Sequence, residues 1–115
     1  MAATPYSPAP ELTLTSEKSE AQTIVHCSGK ITARSTELLL ETVRPQVLSS
    51  KRVLLDLAKL EYLDSSGLGA VVRLWMTGKK AGCEVKVANL TPRIKDLFTL
   101  TNISSIFEGG EHFGM

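Results

Sequence analysis

The most informative stretch of this 115-residue chain is Leu63-Asp-Ser-Ser-Gly-Leu-Gly69. Ser65 and Ser66 are two hydroxyls set just before a run of helical period. A helix start exposes free N–H groups and a partial positive charge, so an anion, phosphate included, is stabilised there. Gly67 and Gly69 keep the first turn free of bulky side chains, which lets another protein approach closely. The same residues also have a structural reading, in which Asp64 or Ser65 caps the helix and Gly67 eases the turn. Three sharper chemistries compete with it. A dinucleotide fingerprint needs Gly-x-Gly-x-x-Gly, but the third glycine position is Val72, and the next strand closes on Ala88-Asn89 without the acidic partner. A nucleophile elbow needs Gly-x-Ser-x-Gly, but Leu63 stands two residues before Ser65. A serine nucleophile also needs a base, and His26, the one histidine of the body, sits on an expected strand. The third chemistry makes the serine itself the substrate, modified by another protein.

Metal chemistry has little to draw on. Cys27 and Cys83 lie far apart, with only His26 and His112 to join them. A structural zinc site takes four well-spaced ligands. The two cysteines read instead as small buried hydrophobes in a reducing compartment.

The elements that would position the serines follow from periodicity. Glu11–Ser16 alternates apolar and polar, and Thr23–Ser28 is β-branched, so the two are expected to form a hairpin that stops at Gly29. Thr32 or Ser35 is the expected cap of a helix with the stripe Leu38, Leu39, Thr42 and Val43, bent or ended by Pro45. Arg52–Leu57 suits a central strand, and Lys59–Leu63 a connection. Leu68, Val71, Val72, Trp75 and Met76 share one helical face, closed by a glycine cap at Ala81-Gly82. Glu84–Ala88 alternates as a further strand. Pro92 opens a last helix lined by Ile94, Leu97 and Phe98. Ile106-Phe107 could add a short final strand. The order β-β-α-β-α-β-α, with parallel neighbours around the crossovers and a leading hairpin, predicts a small α/β protein on a mixed sheet.

Composition narrows the function further. Hydrophobic residues make up 43% and charged residues 22%, the balance of a folded globule. One domain is expected over residues 11–108, between a Pro-rich arm at 1–10 and a tail at 109–115. Thirteen Lys and Arg stand against twelve Asp and Glu, a net charge of +1. Direct nucleic-acid binding, which rests on neutralising phosphates, is not expected from that balance. No charged-then-apolar leader opens the chain and no apolar run approaches the ~20 residues that span a bilayer. A cytoplasmic protein without membrane insertion is therefore expected.

Tyr62-Leu-Asp-Ser-Ser-Gly-Leu-Gly69, in its strand–turn–helix place, resembles the signature of STAS domains, specifically the bacterial anti-anti-sigma factors. Gly29-Lys-Ile, Val53–Leu57, Ala81-Gly82 and the Pro92 helix extend the likeness over nearly the whole body. The resemblance implies a single α/β domain with a mixed sheet of four to five strands and three to four helices packed mainly on one face. It implies a switch protein rather than an enzyme, without cofactor or metal. Its partner would be an anti-sigma factor with a serine-kinase fold, whose ATP supplies a phosphate to Ser65. A separate serine phosphatase would remove that phosphate. Asp64, Ser65, Ser66, Gly67, Leu68 and Gly69 are the implied contact residues, and the protein would be a monomer. The family often has an acidic residue where Thr32 stands, beside the phosphorylated serine, and Thr32 cannot supply that charge. STAS-like domains also serve as accessory subunits that pack on the ATPase of membrane transport systems, or as scaffolds in signalling assemblies. The paired Asp-Ser-Ser favours the switch.

Overall fold

The computed structural model describes residues 10–101. β1 (Leu12–Lys18) and β2 (Thr23–Ile31) pair antiparallel, closed by Ser19 N donating to the Gln22 carbonyl at 2.8 Å. α1 (Thr36–Ser49) leads to β3 (Arg52–Leu63), which lies parallel to β2. α2 (Ser65–Ala81) leads to β4 (Glu84–Ala88), parallel to β3, and α3 (Pro92–Leu100) follows. The sheet order is β1-β2-β3-β4. The expected mixed sheet is present, with four strands and three helices among the described residues. The expected strand at Ile106-Phe107 lies outside them.

Alternation along the strands sends Val25, Cys27, Val53, Leu55, Val85 and Val87 to one face, all buried. Leu39, Val43, Val71, Leu74, Ile94 and Phe98 from the helices join the same apolar cluster. Cys27 and Cys83 are buried free thiols within it, and burial pushes the Cys27 thiol up to about 12. No helix among the described residues is long and apolar enough to cross a membrane.

Several expectations about the elements change, and on α2 the buried face is Leu68, Val71 and Leu74 while Met76 is exposed. Pro45 neither ends nor interrupts α1, which runs on to Ser49. Pro45 and Glu41 are both exposed, so water can satisfy the carbonyl that Pro45 leaves without a donor, while buried Val47 anchors the last turn. The buried stripe of α1 is Leu39, Leu40, Val43 and Val47, and Leu38 is 44% exposed. Lys59–Leu63 is strand rather than connection. β3 slips against β2 between His26 and Ser28 and again between Gly29 and Lys30, each time with an extra residue on β3. These bulges break the period-2 pattern that would mark a strand. The first is held by Asp56, whose Oδ1 accepts from Ala58 N at 3.1 Å and from Asn89 Nδ2 at 3.0 Å. Finally, β2 passes through Gly29 to Ile31 instead of stopping there.

Candidate functional site

The parallel pairing of β2 and β3 brings two chain corners together. Ile31 pairs with Leu63 at the ends of the strands, and the Ile31 carbonyl accepts from Asp64 N at 3.2 Å. The chain turns into α2 at that point. Asp64 is its N-cap, with extended backbone and Oδ1 accepting from Gly67 N at 2.9 Å. Of the two caps the sequence allows, Asp64 takes the role and leaves Ser65 without it. Ser65 and Ser66 are exposed, and neither hydroxyl has a hydrogen-bond partner among the described residues. The far end of α2 closes as expected, with Gly82 left-handed at φ 76°.

The other implied contact residues divide by direction. Gly69 is exposed, and a Cβ built on it meets nothing within 4 Å. Gly67 and Leu68 are buried. A Cβ on Gly67 would stand 2.4 Å from the Ile31 carbonyl oxygen and 2.7 Å from Leu63 Cδ1. Gly67 is thus required by packing of α2 on the end of β2, an internal reason in place of clearance for a partner. The outer surface of the corner consists of Ser65, Ser66, Gly69 and the rim of Asp64. Beside it runs a groove of about 610 Å³, walled by Tyr62 and Leu68 on one side and by Arg93, Leu97 and Leu100 of α3 on the other.

The opposing corner, between β2 and α1, differs from expectation. Ser35 stands at the N-cap position of α1 but makes no side-chain cap bond. Its hydroxyl accepts from Thr32 N at 2.9 Å and donates to Glu11 Oε2 at 2.6 Å. Thr32 Oγ1 donates to the same oxygen at 2.6 Å. The corner therefore carries a carboxylate at Thr32, brought in from the start of the hairpin. Ser35, then Thr32, hold the Glu11 carboxyl below its usual range. Nothing in the local sequence around 32–35 signals Glu11; only the pairing of Leu12 with Gly29 places it there.

His26, weighed above as a base for a serine, is elsewhere. It lies on the sheet face opposite the core, where Nδ1 is 2.7 Å from Asp56 Oδ2 and Nε2 is 2.5 Å from Glu17 Oε2. Both ring nitrogens are engaged, and the ring stitches β1, β2 and β3 together. Hydrogen bonds to Glu17, then Asp56, raise its pKa.

Comparison with known proteins places this architecture. Residues 13–114 match the family model for the STAS domain. The anti-sigma-B factor antagonist of Bacillus subtilis (strain 168) is 31% identical over 84 residues, 73% of this chain and 77% of that protein. Among solved structures, an anti-sigma factor antagonist from Mycobacterium paratuberculosis superimposes with a TM-score of 0.73 at 24% identity, over 87% of this chain and 86% of that one. The Bacillus cell fate determinant SpoIIAA in its phosphorylated form gives 0.68 at 13% identity, over 90% and 91%. These two structures are similar in fold. With its sheet order, its helix-capping Asp64-Ser-Ser-Gly67 corner and a family match over most of its length, the chain belongs to the STAS domain family.

Proposed function

We propose that the chain is an anti-sigma factor antagonist, a binding protein whose hold on an anti-sigma factor is released by phosphate on Ser65. The observation that carries this reading is the state of Ser65: an exposed hydroxyl on the first residue of α2, free of the capping role and of any hydrogen-bond partner among the described residues. Such a group can enter another protein's active site without loss to its own fold. A sequence relative and a structural neighbour carry the antagonist name, which supports the same partner class here.

The chemistry would be divided between two proteins. The partner, an anti-sigma factor with a serine-kinase fold, brings ATP. Ser65 Oγ forms a bond to the γ-phosphorus as the bond to the ADP oxygen breaks. The hydroxyl proton leaves to a base of the partner. A serine phosphatase restores the hydroxyl with water. Unphosphorylated protein occupies the anti-sigma factor and so frees a sigma factor.

Affinity purification of the chain from its own cells, followed by mass spectrometry, tests this. A kinase-fold anti-sigma factor should co-purify, and a phosphate should be found on Ser65 in a fraction of the chain. Co-purification of a transporter ATPase in its place, with Ser65 never modified, would overturn the reading.

A further inference from the structure

Glu11 is set with more care than a surface glutamate requires. Its backbone carbonyl accepts from Lys30 N at 2.9 Å. Gly29, at φ +109°, makes this approach possible, since a Cβ there would stand 2.2 Å from the Glu11 carbonyl oxygen. The side chain then spans the β2–α1 corner. Thr32 and Ser35 both donate to one oxygen, Oε2. Oε1 has no hydrogen-bond or ion-pair partner among the described residues. Lys30 and Arg34 lie near enough to favour the ionised form, and neither pairs with it. The corner itself abuts the start of α2, through the Ile31 carbonyl that takes Asp64 N. Thr32 is the next residue along, so the corner that holds the carboxylate adjoins the start of α2.

Resting on the reading of Ser65 above, we infer that Glu11 is a specificity-determining residue of that surface: its Oε1 presents a fixed negative charge to a cationic side chain of the anti-sigma factor. Asp64 Oδ1 caps α2, so the charge at Glu11 is the one that can be removed without touching the cap. A merely structural tie between the corner and β1 would not need a charge. Both bonds end on one oxygen, so a glutamine amide oxygen can accept the same two, without the assistance of the charge.

Glutamine keeps the acceptor and removes the charge. Wild type, Glu11→Gln, the double variant Glu11→Gln/Thr32→Asp and Ser65→Asp are titrated against the anti-sigma factor identified by the purification above, at two salt concentrations. Glu11→Gln should stay folded and melt only slightly below the wild type, bind about five- to tenfold more weakly, and lose part of the salt dependence of binding. The double variant, which returns a carboxylate to the same corner, should recover the affinity. Wild-type binding by Glu11→Gln overturns the inference, as does weakened binding that the double variant fails to restore. Ser65→Asp separates the two levels. If it alone loses binding, the Ser65 reading stands and the Glu11 inference falls; if it binds like the wild type, both fall.

Discussion

Within the corner, Asp64 and Ser65 stand side by side and do different work, and substitution should separate them. Asp64 holds Gly67 N at the start of α2, so Asp64→Ala should destabilise the fold by about 1 kcal/mol, read by urea titration. Ser65 holds nothing within the described chain, so Ser65→Ala should stay within about 0.5 kcal/mol of wild type. The same variant should remain bound to the anti-sigma factor in the presence of ATP, when the wild type is released. Ser65→Ala that unfolds like Asp64→Ala would show that the hydroxyl belongs to the fold. This division was half legible in the sequence. Asp-Ser-Ser-Gly ahead of an apolar helical period announces a capped helix with spare hydroxyls, because cap, glycine and register are local. Which residue caps is decided by backbone angles that no spacing reports. Glu11 was beyond reach for a different reason: its part in the corner depends on strand register and on the positive φ of Gly29.

At the scale of elements, the outer face of α2 can be probed without disturbing its inner face. Gly69 lies in the first turns with open space around it, and Gly67 does not. Gly69→Ala should stabilise the protein by about 0.5–1 kcal/mol, the helix-propensity difference. Gly69→Arg should fold as well and lose anti-sigma binding, measured by calorimetry. Retained binding would move the interface off this face of α2. The sheet offers a second test at His26, whose folded pKa is raised above the ordinary 6.5 by Glu17 and Asp56. A raised imidazole stabilises while protonated. That contribution is complete below about 6.5 and is lost as pH climbs through the raised value. The melting temperature should therefore fall as pH rises from about 6 toward 9, and His26→Gln should remove most of the fall. The same open face shows why the element boundaries were only partly readable. Strands with clean alternation, such as Glu84–Ala88, announce themselves. β3 hides its second half because Ala58 and Glu61 enter as extra residues, leaving Leu60 and Leu63 buried at a spacing that resembles a loop. Pro45 misleads in the opposite sense, since its cost depends on whether the orphaned carbonyl meets water.

For the molecule as a whole, the proposed function requires that a single phosphate on Ser65 release a partner. The phosphate adds about −1.5 to −2 charges at pH 7, taking the net charge from +1 to about −0.5 to −1. A shift that small does not repel a partner globally, nor does it challenge a core spread over all four strands and three helices. Inside the free protein the terms oppose each other. The start of α2 favours an anion by roughly 0.3–1 kcal/mol, while the adjacent Asp64 carboxylate disfavours it. Ser65 is exposed, so the phosphate stays in water and each term is further screened. The free protein should accordingly keep its fold and nearly its stability. The interface lacks that balance. In the proposed interface the dianion would be desolvated beside Asp64 against a surface that fits a hydroxyl, and about 2.7 kcal/mol of penalty already weakens binding ~100-fold. Phosphorylation should thus abolish binding by local charge and size. Amide chemical shifts of the two forms check this: changes should be confined to residues 63–70 and the facing 31–36 corner, with the melting temperature moved by less than about 4 °C. Shifts spread through β1 and β4 would mean that the phosphate acts by rearranging the sheet.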